Sequence, residues 1–150
     1  MTSTAAITAP VADSRALGLA HYAARGLLEQ VLARHGSTFQ QQVTLRAAVT
    51  AVTPLTRDEL ASQVQGALKA DPADIRTTLD ELLAKHLLVA GGTHLHPTAG
   101  RDLLAILAAE TAPITARVWG DIPAEDLAAA YRVLALVTER ANAELAALTA

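Results

Sequence analysis

The sequence predicts a mainly α-helical protein carrying one small β-hairpin, and three observations lead there. Alanine and leucine are abundant, while glycine (8) and proline (6) are sparse among 150 residues, a composition that favours helix over strand. Apolar residues recur at spacings of three and four along most of the chain, the period of an amphipathic helix. One stretch breaks that period: "LLVAGGTHLHP" sets two short runs around a Gly-Gly pair, as a tight hairpin does. With 51% hydrophobic residues, one packed core is easily built in a chain of this length.

Composition removes several function classes. There is no cysteine, which excludes disulfides, cysteine-zinc sites, thiol nucleophiles and thiol redox sensing. The aromatic residues are Tyr22, Phe39, Trp119 and Tyr131, too few for a surface that stacks unpaired bases. No apolar run approaches the roughly 20 residues of a membrane span. The start, "MTSTAAITAPVA", has neither a basic leader nor an apolar centre, so residues 1–13 read as a flexible arm rather than a signal peptide, and a cytoplasmic protein is expected. The net charge of −3 runs against duplex DNA as a partner, because affinity there comes largely from neutralised phosphates.

The first helix is expected over 14–35. Leu17, His21, Ala24, Leu28 and Val31 recur at four and three, and Leu27 and Leu32 widen the stripe enough for more than one neighbour. After "HGST" a second helix fits 38–52, with Leu45, Ala48, Val49 and Val52 on one side. Pro54 ends it by biasing the residue before it away from helix. The third begins at "TRDE": Thr56 is the capping oxygen and Glu59, three residues on, completes a capping box. Leu60, Ala61, Val64 and Leu68 form its buried side, and Gly66 marks its end. "DPAD" opens the fourth: Asp71 caps, Pro72 suits the first turn, and Asp74 favours the positive end of the dipole. Ile75, Leu79, Leu82 and Leu83 face inward. The hairpin follows, then a helix capped by Thr98 that Pro113 should kink or break. "GDIP" separates it from a last helix over about 124–148. There Leu127, Tyr131, Leu134, Thr138, Ala141, Leu145 and Leu148 keep a four-three seam that either packs on the body of its own chain or meets a copy of itself; the second is favoured, because a terminal helix this long outreaches a small domain.

This order, with its local motifs, resembles the MarR family of winged helix-turn-helix regulators. "LTRDELASQV" looks like the family's first helix-turn-helix helix, "DPADIRTTLDELLAKHLLV" like its recognition helix, and "HPTAGRDLL" like the Leu-Thr-x-x-Gly-x-x-Leu start of the helix after the wing. The resemblance spans about residues 14–148. It implies a single domain over 14–150, with a winged helix-turn-helix lobe over about 38–100 and dimerisation helices over about 14–35 and 101–148. It further implies a homodimer that binds double-stranded DNA and answers to a small aromatic effector. The implied DNA contacts are Arg57, Lys69, Asp74, Arg76, Thr77, Thr78, Thr93 and His94. The implied effector site takes His21, Arg25, Arg46 and Trp119. The implied dimer contact takes Leu17, Leu28, Leu127, Tyr131, Leu134, Leu145 and Leu148.

The chain departs from the family where DNA chemistry resides. Family members usually carry an arginine near the position of Thr77 and often another near Glu81. Over 56–101 the cations are Arg57, Lys69, Arg76, Lys85 and Arg101, and the anions Asp58, Glu59, Asp71, Asp74, Asp80 and Glu81; five minus six gives −1 with histidines neutral. The hairpin "VAGGTHLH" lacks the family's Asp-x-Arg element. His86 stands where a glycine usually closes the recognition helix; glycine suits a left-handed residue there, and histidine pays a steric penalty unless the helix ends differently.

Other constellations have plainer readings. His94 and His96 share one side of a strand with His86 near in sequence. Three imidazoles can hold zinc, but no carboxylate lies in the hairpin to complete the set, so no metal and no cofactor is assigned. His21 on its apolar stripe reads as either a satisfied core residue or a ligand contact. Trp119 beside Gly120 reads equally as a packing anchor. The carboxylates fall in first turns and on solvated faces, which gives catalysis no paired acid and base; an enzyme built around His21 and Arg25 is the remotest reading. The expectation is a MarR-like DNA-binding regulator. Its rival is a protein of that fold that has lost DNA binding and serves as a ligand-binding or protein-interaction module.

Overall fold

A computed structural model describes residues 9–150. The predicted arm lies outside the described residues up to residue 8, and residues 9–13 are exposed and carry neither helix nor strand. The elements in order are α1 (Ser14–Arg34), α2 (Phe39–Thr50), β1 (Leu55–Thr56), α3 (Arg57–Leu68), α4 (Pro72–Ala84), β2 (Val89–Gly91), β3 (His94–His96), α5 (Thr98–Trp119) and α6 (Ala124–Leu148). The chain divides into two compact units, Met1–Thr111 and Ala112–Ala150. No helix among the described residues is long and apolar enough to cross a membrane.

Capping side chains set most helix starts in the first unit. Asp13 accepts from the Ala16 N–H at 2.8 Å to open α1. Thr38 and Gln41 form a capping box on α2, and Thr56 and Glu59 form the expected one on α3. Asp71 accepts from the Ala73 N–H at 2.7 Å with Pro72 at the first helical position of α4. Each arrangement satisfies backbone donors that a helix end leaves orphaned.

Leu45 and Ala48 of α2, Leu60 and Val64 of α3, and Ile75, Leu79 and Leu82 of α4 form one buried cluster, closed by Leu88 and by Leu95 of β3. The three-helix core is therefore the one the apolar spacing predicted. Leu55, Leu103 and Leu104 pack against its edge. The hairpin also forms as expected, with Val89 opposite His96 and Gly91 opposite His94. Leu95 turns into the core while His94 is exposed and His96 half-buried, the alternation a strand imposes.

Five local expectations change. The segment before α3 is a strand: β1 pairs antiparallel with β3, Leu55 opposite Leu95 and Thr56 opposite His94, making a sheet of order β1-β3-β2. Two residues carry no readable period, so nothing in the sequence marked it. α2 ends at Thr50, and Val52 is fully exposed rather than on its buried side. α3 runs through Gly66 to Leu68 and stops where Lys69 turns left-handed, φ 54°. Thr98 is the first residue of α5 rather than its cap; the Pro97 carbonyl accepts from the Arg101 N–H, and the Gly100 N–H finds the Leu87 carbonyl at 3.1 Å. α5 also continues through Pro113 to Trp119, because a proline removes one backbone donor while the turns on either side keep theirs.

Gly100 explains the glycine of the "TAGRDLL" motif. A β-carbon there would sit 2.6 Å from the Leu87 carbonyl oxygen and against Leu45. Only glycine lets α5 approach the end of α4 this closely. The second unit holds the end of α5, a turn through Gly120 and Asp121, and α6, in which no residue is buried.

Candidate nucleic-acid interface

α3 and α4 form a helix-turn-helix pair joined by Lys69, Ala70 and Asp71, with the hairpin following α4. Burying Ile75, Leu79 and Leu82 fixes how α4 is turned. Its outward face then carries Ala73, Arg76, Thr77 and Asp80, all exposed. Arg76 and Thr77 thus both stand on the exposed side of α4. The Arg76 guanidinium makes no hydrogen bond or ion pair among the described residues, while the Thr77 hydroxyl donates to the Ala73 carbonyl at 3.1 Å.

Thr78 is different. It is 6% exposed, and its hydroxyl donates to the Asp74 carbonyl at 3.0 Å. It sits at the edge of the core on the side toward α2, so it is not available at the surface as the sequence reading expected. One position along a helix turns a side chain by about 100°, which is enough to separate Thr77 from Thr78. Asp74 is exposed one turn before Thr78.

Most of the cations here are engaged within the chain. Arg57, the first residue of α3, donates from Nη2 to Asp80 Oδ1 at 2.6 Å and to the Arg76 carbonyl at 3.2 Å. The Lys69 ammonium donates to the Gly66 carbonyl. Lys85 donates to the Gly36 carbonyl at 2.6 Å and to Gln41 Oε1 at 3.1 Å, tying the end of α4 to the loop before α2. Buried Gln41 donates in turn to Glu81 at 2.7 Å. Of the five cations over 56–101, Arg76 and Arg101 have side chains that make no hydrogen bond or ion pair among the described residues. Asp80 is the residue the sequence reading missed. It lies 23 residues from Arg57, and no periodicity within one helix reports a contact to another.

Two depressions border α4. A cleft of about 180 Å³ between α3 and α4 is lined by Arg57, Asp58, Ser62, Gln65 and Arg76, among others. A shallower groove of about 360 Å³ lies between α4, α1 and the start of α2, with Arg25, Glu29, Phe39, Asp74, Thr77 and Glu81 on its walls. Arg25 stacks over the Phe39 ring at 4.4 Å and holds Glu29 at 2.8 Å. The His21 ring lies 6.5 Å from that of Phe39 and is exposed, so it is not a core histidine. Arg46 is exposed on α2 and is not among the groove's lining residues, and Trp119 is exposed in the second unit.

At the hairpin, Thr93 and His94 are exposed at the tip and share a hydrogen bond of 3.1 Å. His94 also acts across the sheet. Glu59 has its carboxyl held below the usual range first by the Thr56 backbone N–H and then by the Thr56 hydroxyl; desolvation opposes them, and His94 adds the smallest contribution in the same direction as Thr56. Of the seven positions implied for the dimer contact, Leu28 and Leu127 are half-buried and Leu17, Tyr131, Leu134, Leu145 and Leu148 are exposed.

No family model matches the chain, and no curated protein does. Solved structures do. A MarR-family transcriptional regulator from Rhodococcus sp. RHA1 superposes with a TM-score of 0.67 at 18% identity, over 87% of this chain and 98% of that one. This decides the fold. The chain has the MarR-type winged helix-turn-helix fold. Two further structures agree. CouR from Rhodococcus jostii RHA1, bound to p-coumaroyl-CoA, superposes with a TM-score of 0.69 at 18% identity, covering 87% of this chain and 96% of that one. Bordetella bronchiseptica BpsR, whose DNA binding is regulated by 6-hydroxynicotinic acid, gives 0.64 at 19%, with 87% and 99% covered. In this fold α4 is the second helix of the helix-turn-helix, and the β2–β3 hairpin is the wing.

Proposed function

We propose that the chain is a homodimeric transcriptional regulator that docks α4 on duplex DNA and is released or tightened by a small effector. The observation that carries this is the outward face of α4. The fold holds it exposed beside the wing, and Arg76 and Thr77 stand on it with no other side chain claiming the arginine. An arginine there reaches a base edge or a phosphate oxygen, and a threonine contributes a hydroxyl and a methyl. Arg101, Thr93 and His94 extend the polar surface. Arg57 and Lys69 belong to it once their internal partners are exchanged for phosphate. A homodimer supplies what one charge-poor helix lacks, because two tethered half-sites combine their affinities.

The effector part of the reading is supported by the groove between α1, α2 and α4. It offers an aromatic ring (Phe39), a cation (Arg25) and a wall formed by α4 itself. A small aromatic ligand seated there, with His21 beside Phe39, touches the recognition helix directly. The structural neighbours that respond to 6-hydroxynicotinic acid or hold p-coumaroyl-CoA make such chemistry natural for the fold.

A second reading has its own observation: Arg57, Lys69 and Lys85 are all spent on internal acceptors, which suits a MarR-fold module that binds a ligand or protein without DNA. A gel shift on the duplex upstream of the chain's own gene, at low and at physiological salt, separates the two. The DNA-binding reading expects a shifted complex that Arg76→Ala weakens by about 1–3 kcal/mol. A folded protein that gives no shift at either salt concentration supports the module instead.

A further inference from the structure

We infer that Asp80 sets DNA affinity by occupying, on Arg57, the place a DNA phosphate would take. This rests on the DNA-binding reading above and names how that site is restrained. Arg57 begins α3, and Arg76 and Asp80 stand one turn apart on the outward side of α4. Arg57 reaches across the cleft between the two helices to Asp80 Oδ1 at 2.6 Å, supported by the Arg76 carbonyl at 3.2 Å. Arg57 and Arg76 both line that cleft, with Ser62 and Gln65 adding polar groups. It is therefore the point on the helix-turn-helix surface where two cations converge. A carboxylate oxygen and a phosphate oxygen are equivalent acceptors to a guanidinium, so Asp80 competes for the same donor.

The balance is set for exchange. The side chains are 38% exposed at Arg57 and 68% exposed at Asp80. An ion pair this open is weak and salt-screened, so a phosphate can displace the carboxylate without stranding a buried charge. Asp80 nevertheless opposes binding twice. It must give up Arg57, and once released it leaves a negative charge facing the backbone. Arg57 keeps Nε and Nη1 free of partners among the described residues, so an incoming phosphate has a donor to engage before Asp80 lets go.

The test measures binding of a fluorescently labelled mixed-sequence duplex to the full chain at several salt concentrations, with thermal unfolding confirming that each variant is folded. Asp80→Asn is expected to bind about 3- to 10-fold more tightly near 0.1 M salt and to steepen the salt dependence by up to about one phosphate contact. Asp80→Ser provides a second, smaller replacement expected to act in the same direction. In an Arg57→Gln background the gain should fall below about twofold, because only the long-range field of Asp80 remains. Wild-type binding without a gain in either Asp80 variant overturns this assignment and leaves the DNA reading standing. An undiminished gain in the Arg57→Gln background overturns the pairing, since a general charge effect then suffices. Absence of binding by every variant at low salt overturns both. Binding by the Asp80 variants alone supports both.

Discussion

At the scale of single residues, the end of α4 is held in a conformation its side chain resists. His86 takes φ 57°, and the chain then closes on the helix, the Leu87 and Leu88 N–H groups both donating to the Leu82 carbonyl. That left-handed turn aims Leu88 into the core. A β-carbon in this region costs about 1–2 kcal/mol, part of which glycine would forfeit through the extra freedom of its unfolded chain. His86 is exposed and its side chain makes no hydrogen bond among the described residues. Replacing His86 with Gly should therefore stabilise the fold by about 0.5–1 kcal/mol, read as a higher denaturant midpoint at unchanged slope. A lower midpoint would show that the imidazole makes a contact worth more than the strain. Lys69 and His86 divide what a sequence can and cannot tell. A histidine in a glycine's place was legible as a strained ending for α4. A lysine taking the same conformation after α3 was not, because an exposed lysine carries no signal for it.

At the scale of elements, polar caps and apolar spacing made the helices legible, since both act within a few residues of the chain. The caps of α3 and α4 and the inward faces of α2, α3 and α4 follow from Thr56, Asp71 and the leucines alone. β1 escaped because its reason for existing is β3, 40 residues later, where Leu55 pairs with Leu95. The Arg57–Asp80 pair escaped for the same reason, which is why Arg57 was read as a DNA contact without its internal restraint. The start of α3 also carries a pH dependence. The folded-state carboxyl of Glu59 is depressed by its hydrogen bonds to Thr56, so its contribution is fully present above the unfolded value of about 4.3. That contribution is lost as pH falls through the lower folded value. Glu59→Gln keeps the shape of the capping box but no charge. The stability difference between wild type and Glu59→Gln should therefore favour wild type at neutral pH and vanish in acid. A difference that is constant across that range would place the stabilisation in the hydrogen bond itself rather than in the ionised group.

At the scale of the whole molecule, the question is what stabilises the second unit. α6 is 25 residues long, and none of them is buried. Within a protein most of a helix's stability comes from packing an apolar face rather than from propensity. This helix displays Tyr131, Leu134, Val137, Leu145 and Leu148 to solvent, with Tyr131 at 74% exposure. α1 shows Leu17, Tyr22 and Leu27 in the same way. A row of large apolar side chains left exposed along a helix marks a face that a partner covers, and the four-three seam of α6 has the period that suits another helix. In the homodimer proposed above, a second copy of the chain would provide cover of matching length and chemistry and would offer a second α4 to the same duplex. Stability should then depend on protein concentration, rising by about 1.4 kcal/mol per mole of dimer for each tenfold increase. Placing Asp at both Tyr131 and Leu134 buries two charges in that contact and should yield a monomer by sedimentation, with the concentration dependence of unfolding gone. The three-helix core around Leu45, Leu60 and Leu79 lies in the other unit and should keep its helical signal in part. A wild-type chain that sediments as a monomer at micromolar concentration with α6 folded would mean that the seam has another partner. Duplex binding would then have to come from a single α4 carrying one unclaimed arginine.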